Sequence, residues 1–224
     1  MEQLKIIARI HTDFKTKFGI PRQSGVVEEL KGEIVFEPEF RNADAVRGLE
    51  DFSHIWLIWQ FSENLRADWS PTVRPPRLGG NTHVGVFATR SPFRPNSLGL
   101  SSVKLDGIEY TADRGAVLHV SGADLMDGTP IFDIKPYIPY ADCHTDALGG
   151  FTDKTEFKTL KVVIPEALKS KIPEGKLAAL TGVLQNDPRP HYQNDPERVY
   201  GFEFAGIEIR FKVCDGVLSV TEVE

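Results

Sequence analysis

The segment IFDIKPYI, residues 131–138, alternates apolar and polar side chains along its length. This period of two predicts a β-strand with Asp133, Lys135 and Tyr137 on one face and isoleucines on the other. An acid, a base and a phenol on one face could form a polar site. The alternative is an ordinary strand whose polar face lies in water and whose Asp133/Lys135 pair contributes little.

Similar short segments recur through the first two thirds of the chain, separated by turn residues. They lie at residues 4–10, 25–30, 32–36, 55–61, 84–87, 98–105 and 117–120. Strands at this spacing favour an all-β sandwich or barrel over alternating strands and helices. His54, next to one of these segments and close to two tryptophans, is predicted to be buried and hydrogen-bonded.

The pattern changes after about residue 155. Two segments, 165–172 and 173–185, begin with proline, which suits the first turn of a helix because its missing N–H costs nothing there. A three-stranded meander with Ala-Gly and Asp-Gly turns is predicted at residues 200–204, 207–213 and 217–220. The residues after about 155 are therefore predicted to form a small α+β unit.

The chain has 224 residues, enough for one large domain or for one domain with a small appendage. The change of pattern after about residue 155 favours one domain with a small appendage. We predict a β domain over residues 1–145 and an α+β C-terminal domain over residues 155–224, with a linker inside 142–154.

Positive charge is concentrated in PTVRPPRLGGNTHVGVFATRSPFRPNSLGLSSVK, residues 71–104, which has five basic residues and no acid in a chain of net charge −6. Local potential decides where a polyanion or charged cofactor is bound, and the prolines impose one loop shape. Arg90 and Arg94 lie four residues apart around a proline bend, and their planar guanidiniums suit carboxylates or phosphates. The alternative is a solvated loop whose arginines pair with acids elsewhere.

Several classes of protein are disfavoured. Cys143 and Cys214 are far apart, and neither they nor the six histidines show metal-ligand or disulfide spacing. The N-terminus lacks a signal-peptide pattern, and no segment approaches the roughly 20 apolar residues that span a bilayer. We therefore predict a cytoplasmic protein with no metal and no membrane partner.

The segment NDPRPHY, residues 186–192, follows a predicted helix. A rigid Pro-Arg-Pro turn followed by His and Tyr could grip a phosphate through Arg189 or stack on a base through Tyr192. It could equally be a stiff connector.

Seven stretches of the chain, taken together, closely resemble the TsaA-like/TrmO family. They are PRQSG at 21–25, ADAVRGLEDFSHIW at 43–56, RPPRLGGN at 74–81, GVFATRSPFRPN at 85–96, GLSSV at 99–103, DGTPIFDIKPYIPYAD at 127–142 and QNDPRPHY at 185–192. The resemblance covers essentially the whole chain. It implies a mainly β protein, a single-sheet β-barrel with a small C-terminal α+β domain.

The resemblance also implies a function: an S-adenosylmethionine-dependent tRNA methyltransferase. The expected acceptor is N6 of threonylcarbamoyladenosine at position 37, beside the anticodon of threonine tRNA. A homodimer is implied, with the cofactor pocket near the subunit boundary. Cys143 and His144 are adjacent but lie in no sequence frame typical of a catalytic nucleophile. Methyl transfer needs positioning more than a covalent catalyst, so this is no objection.

The candidate site residues fall into three groups: cofactor residues that the resemblance implies, residues of the basic stretch and of NDPRPHY that could contact tRNA, and a general base suggested by the chemistry. The expected cofactor-binding residues are Gln23, Ser24, Gly25, Glu63, Asn64, Arg94, Asp127, Gly128, Thr129 and Pro130. The expected tRNA contacts are Arg74, Arg77, Arg90, Lys104, Arg189 and Tyr192. Asp133 or Tyr137 is the candidate general base for the proton that leaves the acceptor nitrogen.

Two alternatives stay open from the residues alone. A non-catalytic RNA-binding β-barrel would keep the basic loop and bind no S-adenosylmethionine. A small-molecule methyltransferase on the same scaffold would bind the cofactor and ignore tRNA.

Overall fold

The structure is a computed structural model that describes residues 4–64, 68–155, 158–189 and 195–224. Strands predominate: β1 (Ala8–Thr12), β2 (Lys31–Phe36), β3 (His54–Gln60), β4 (Thr72–Val73), β5 (Val84–Gly85), β6 (Leu98–Thr111), β7 (Gly115–Ser121), β8 (Thr129–Pro136), β9 (Lys161–Val163), β10 (Tyr200–Phe204), β11 (Ile207–Cys214) and β12 (Val217–Val223). The α-helices are short: α1 (Pro139–Asp142), α2 (Glu166–Lys169) and α3 (Leu177–Gln185). In these ranges no helix has the length and apolar character needed to cross a membrane.

Six strands form a closed antiparallel barrel in the order β1-β2-β7-β6-β3-β8, and β8 closes it by pairing with β1. Closure leaves no sheet edge open to another strand. The barrel is filled by apolar side chains, among them Ile10, Ile34, Ile55, Leu118 and Ile131. The predicted mainly β barrel is confirmed, and the sandwich that the strand pattern also allowed is excluded.

Strand β3 shows how alternation fills the barrel. Ile55, Leu57 and Trp59 are buried and point inward. The Trp59 indole lies so close to Gly99 of β6 that a Cβ at position 99 would overlap the ring. His54 has the opposite parity and is exposed. The prediction that it is buried is wrong, because the period of two turns this position outward.

The C-terminal region folds around a second sheet in the order β10-β11-β12-β9. The three-stranded meander is confirmed, and the short β9 adds a parallel strand beside β12. Helix α3 covers the sheet with Leu180 and Leu184, which are fully buried. The helices are shorter than predicted: α3 begins only at Leu177, because Gly175 has a φ of +76° that no helix allows.

The strand register brings three barrel loops to the same end. Thr12 pairs with Gly32, Lys31 with Ser121 and Gln60 with Leu98, at the points where these strands enter or leave the loops. Loops 13–30, 61–97 and 122–128 therefore emerge together, and we call this end of the barrel the mouth. The opposite end carries loop 37–53, the β6–β7 turn and the segment that follows β8.

Candidate active site

Hydrogen bonds tie the three loops of the mouth to one another. The Gly25 N–H donates to the carbonyl oxygen of Gly122 at 2.9 Å, which joins loop 13–30 to loop 122–128. The Arg90 guanidinium donates to the side-chain oxygen of Gln23, which joins the basic loop to loop 13–30. Gln23, Ser24 and Gly25, predicted from sequence as cofactor residues, therefore lie between the other two loops.

Glu63 and Asn64 directly follow β3 and lie at the same end. Lys17 of loop 13–30 donates from Nζ to Asn64 Oδ1 at 3.3 Å. Glu63 is exposed and Asn64 is half-buried. Of this predicted pair, the Asn64 amide is therefore the better placed to reach into the opening.

A shallow cleft of about 110 Å³ lies beside Asn64. It is lined by Asn64, Asp68, Trp69, Pro92, Phe93, Arg94, Pro95 and Ser97. Arg94 donates from Nη1 to the carbonyl oxygens of Thr89 and Ser91, at 3.0 and 3.2 Å. Its guanidinium thus fixes the bend of the basic loop while one side of it lines the cleft.

The sequence interpretation missed a carboxylate at the mouth, Asp124. Its Oδ1 accepts a hydrogen bond from Ser101 Oγ at 2.7 Å, and the buried Ser101 in turn accepts one from Trp59 Nε1 at 3.0 Å. Burial raises the pKa of the Asp124 carboxyl above its usual range, although hydrogen bonds from Ser101 and the Ser24 backbone and the nearby Arg90 charge act to lower it. A partly desolvated carboxyl beside the predicted cofactor loop is suited to proton transfer or to binding a cation.

The Asp127–Pro130 turn is held by strand β1. Partial burial opposes ionisation of Asp127, but hydrogen bonds from Lys15 Nζ (2.6 Å), the Thr12 N–H (3.2 Å) and His11 keep the pKa of its carboxyl below the usual range. The Thr129 hydroxyl is buried and donates to the Met126 carbonyl at 2.7 Å. These side chains therefore shape the turn.

The backbone of the same turn is also tied to β1. The Gly128 N–H donates to the carbonyl oxygen of Ile10 at 2.8 Å, and the φ of Gly128 is +78°, which favours glycine. The Arg9 guanidinium donates to the Gly128 carbonyl at 3.0 Å, and Pro130 is buried. The turn thus presents a fixed surface to the mouth.

The structure does not bring Asp133 and Tyr137 to the mouth. Asp133 lies on the outer wall of β8, where it pairs with Lys135 at 3.0 Å. The Tyr137 N–H donates to the carbonyl oxygen of His54, at the start of β3 and hence at the opposite end of the barrel. The shared face of Asp133 and Lys135 was predicted correctly, but it lies on the outer wall of the barrel and not in the loops of the mouth.

The family of this fold follows from comparison with known proteins. The tRNA-methyltransferase O N-terminal domain family matches residues 9–143, and the TrmO C-terminal domain family matches residues 158–224. The chain belongs to the tRNA-methyltransferase O family.

Relatives in the TrmO family match along nearly the whole chain. The tRNA (adenine(37)-N6)-methyltransferase of Escherichia coli (strain K12) is 38% identical over 230 residues, 99% of this chain and 97% of that protein. A putative S-adenosylmethionine-dependent methyltransferase of Pseudomonas aeruginosa is 39% identical over 212 residues, 92% of this chain and 90% of that protein. The crystal structure of TrmO from Pseudomonas aeruginosa matches with a TM-score of 0.81 and 31% identity, covering 100% of this chain and 98% of that one.

In this TrmO family member the predicted tRNA contacts are dispersed. Arg74 is exposed on the small β4–β5 hairpin and donates from Nε to His83 Nε2 at 3.0 Å. Arg77 lies in a short 3₁₀ turn of the same loop, and its side chain is outside the described part of the structure. Lys104 is exposed on the barrel wall, six residues and about 20 Å along β6 from Leu98.

The two predicted tRNA contacts of the C-terminal region are Arg189 and Tyr192. Arg189 donates to Asp187 at 2.8 and 2.9 Å, and its side chain is only 10% exposed, so its guanidinium is engaged within the protein. Tyr192 lies outside the described residues. The structure therefore gives Arg189 a local structural partner.

An exposed aromatic pair was also missed. Trp69 and Phe87 stack with ring centroids 6.0 Å apart and an interplanar angle of 27°, and their exposures are 49% and 72%. Both rings flank the β4–β5 hairpin, and Trp69 lines the cleft beside Arg94. The available signal was an aromatic residue, Phe87, in the acid-free basic stretch.

A metal centre has no support in the described ranges, where no group of three or more His, Cys, Asp or Glu side chains could bind an ion.

Proposed function

We propose that the protein is an S-adenosylmethionine-dependent tRNA methyltransferase that methylates N6 of adenine 37. Family membership over both regions supports the reaction class, and relatives of similar length are named for it. The observation that carries the proposal is the gathering of the Gln23–Gly25 loop, Asn64, Arg94 and Asp124 at one end of the barrel. The proposed substrate is threonylcarbamoyladenosine in threonine tRNA.

The chemistry of the mouth fits the cofactor. S-adenosylmethionine, when bound, supplies a methyl group on a positively charged sulfur. The amides of Gln23 and Asn64 can hydrogen-bond its polar groups, and the Arg94 guanidinium suits its carboxylate. The Asp124 carboxylate is the complementary partner for positive charge. The Asp127–Pro130 turn would supply a fixed wall.

Asp124 is the residue best placed to accept the proton that leaves N6. The reaction forms a nitrogen–methyl bond, breaks the sulfur–methyl bond and releases one proton. A carboxyl whose pKa is raised by burial is a stronger base than an ordinary aspartate. Asp133 and Tyr137, the candidates from sequence, lie on the outer wall and at the opposite end.

The surface beside the mouth suits an unpaired nucleotide. Bases in RNA loops are recognised mainly by stacking on aromatic rings and by contacts to phosphates. Trp69 and Phe87 offer the rings. Arg74, Arg77 and Arg90, from the acid-free stretch at residues 71–104, supply the positive charge. We propose that the anticodon loop of the tRNA binds to this surface. Because the proposed substrate is tRNA, we also propose that the enzyme is cytoplasmic.

A homodimer is also proposed, for a geometric reason. Small-molecule sites usually enclose about 300 to 1,000 Å³, whereas the cleft beside Arg94 encloses about 110 Å³. A second copy of the chain would complete the enclosure. Sedimentation at micromolar concentration tests this, because a mass near 25.0 kDa would be that of the monomer and would exclude the dimer.

The decisive experiment incubates the purified protein with S-adenosylmethionine and threonine tRNA, with and without threonylcarbamoyl modification, and analyses the nucleosides by mass spectrometry. The proposal expects a gain of one methyl group on adenosine 37 of the modified tRNA. Binding of tRNA without any binding of the cofactor would favour a non-catalytic RNA-binding barrel. Cofactor binding with no transfer to either tRNA would favour a small-molecule methyltransferase.

A further inference from the structure

Loop 13–30, which carries Gln23–Gly25, is packed into the core of the C-terminal domain. Phe14, Val27 and Leu30 are each at most 3% exposed and belong to the same apolar cluster as residues of helix α3 and strands β10–β12. A long loop on a barrel would ordinarily be solvated and mobile. This one is therefore anchored by residues that lie outside the barrel.

Direct contacts reinforce the anchoring at the start of the loop. The Asp13 carbonyl oxygen accepts a hydrogen bond from the Ala205 N–H at 3.0 Å, and Asp13 Oδ2 accepts one from Lys176 Nζ at 2.6 Å. The rings of Phe14 and Phe204 have centroids 5.3 Å apart. Both a strand turn and a helix N-terminus of the C-terminal domain thus contact the beginning of the loop.

Another close approach lies just after the cofactor candidates. Gly182 of helix α3 faces Val27, and a Cβ at position 182 would lie 2.7 Å from Val27 Cγ1. Two residues before Val27, the Gly25 N–H is bonded to Gly122 of the barrel. The Gln23–Gly25 segment is therefore fixed on one side by the barrel and on the other by α3.

We propose that the C-terminal domain is a positioning element for the cofactor site, acting on the Gln23–Gly25 segment through the Val27–Gly182 contact and through the Lys176–Asp13 pair at the start of the loop. The inference rests on the proposed function and deepens it. It assigns to this domain a role in binding S-adenosylmethionine that is separate from any contact with tRNA.

The test is the Gly182→Ala variant of the full chain, with the dissociation constant for S-adenosylmethionine measured by calorimetry. Alanine favours a helix more than glycine does, so a weaker site would not come from loss of α3. We expect at least a fivefold rise in this constant, from displacement of Val27, and less than a twofold change in tRNA affinity. Gln185→Ala, at an exposed position of the same helix, is the matched control and should bind the cofactor like the wild type.

A compensating substitution separates positioning from general damage. Val27→Ala removes the methyl group that Gly182→Ala would meet, so the double variant should recover the cofactor affinity of Val27→Ala alone. An unchanged dissociation constant for S-adenosylmethionine in Gly182→Ala overturns the proposal. So does a double variant that binds the cofactor more weakly than Val27→Ala alone. If Gly182→Ala does not fold, Lys176→Met is the test variant. Loss of the pair between Lys176 and Asp13 should also weaken cofactor binding. An unchanged dissociation constant for S-adenosylmethionine in Lys176→Met overturns the proposal. A wild-type protein that binds no S-adenosylmethionine would instead refute the proposed function.

Discussion

Ser101 and Asp124, 23 residues apart in sequence, are joined by a 2.7 Å hydrogen bond at the mouth of the barrel. The serine is buried in β6, and the aspartate lies on the loop between β7 and β8. This bond orients the carboxylate and couples it to the barrel interior through Trp59.

Asp124→Asn should lower kcat by about 100-fold or more, the usual contribution of a general base, while the Michaelis constant for tRNA stays within about twofold. Because the pKa of Asp124 is raised, wild-type activity should fall with decreasing pH above the usual aspartate range. Ser101→Ala removes a hydrogen bond that lowers this pKa, so the acid limb should move to higher pH. If Asp133→Asn lost activity while Asp124→Asn kept the wild-type kcat, Asp133 on the outer wall would be the general base instead.

Arg94→Ala should weaken cofactor binding or turnover at least tenfold, equivalent to about 1.4 kcal/mol. The variant loses a cleft side chain and the hydrogen bonds that fix Thr89 and Ser91. Steady-state kinetics and calorimetry check this. Arg47→Ala, exposed at the opposite end, is the matched control, and wild-type values for both variants would remove Arg94 from the site.

Trp69→Leu and Phe87→Leu should each raise the Michaelis constant for tRNA about tenfold, because stacking on a base contributes roughly 1 to 3 kcal/mol. Stacking releases no counterions, so the salt dependence of tRNA binding should not change. Tyr140→Leu, which removes an aromatic ring 91% exposed beyond β8, should behave like the wild type. A change of oligomeric state with unaltered tRNA affinity would instead indicate a subunit contact.

Arg74→Gln and Arg77→Gln should flatten the salt dependence of tRNA binding. Each lost phosphate contact reduces the slope of log affinity against log salt by roughly 0.7 to 0.9. Fluorescence titrations between 50 and about 200 mM salt measure this slope. Unchanged slopes in both variants would show that the anticodon stem binds elsewhere.

Asp127→Asn should lower the free energy of unfolding by about 1 kcal/mol at pH 7, since it removes the charged oxygen that accepts from Lys15 and leaves a neutral acceptor for the Thr12 N–H. The pKa of Asp127 is depressed in the folded state, so its contribution is present above the unfolded pKa and is lost as pH falls through the folded one. Urea unfolding at pH 7 and at low pH should show the difference shrinking in acid. Asp44→Asn, whose partner Arg47 is exposed, should have a much smaller effect.

Much of the fold could be predicted because it depends on local alternation. The meander and the strand at IFDIKPYI follow from side chains two residues apart. The closure of the sheet could not be predicted in this way, because it depends on the pairing of β1 with β8 from the two ends of the domain. His54 was misassigned because an apolar neighbourhood in sequence does not fix the parity of a strand.

The candidate site was predicted less completely. Family motifs made Gln23–Gly25 and Arg94 candidates, whereas Asp124 became a candidate only when folding placed it against Ser101. Arg189 was predicted to contact tRNA, and in the structure Asp187, two residues earlier, engages its guanidinium. Isolated side-chain identity therefore indicates candidates, and three-dimensional pairing decides their chemistry.

The contact between Trp59 and Gly99 constrains how this protein can change. No side chain fits at position 99 while the indole is in place, and a smaller residue at position 59 would remove the N–H that bonds Ser101. A side chain at position 99 therefore requires a smaller residue at position 59, and that exchange disturbs the carboxylate at the mouth. An engineer who alters the barrel interior at these two positions therefore also alters the hydrogen bonds that orient the Asp124 carboxylate.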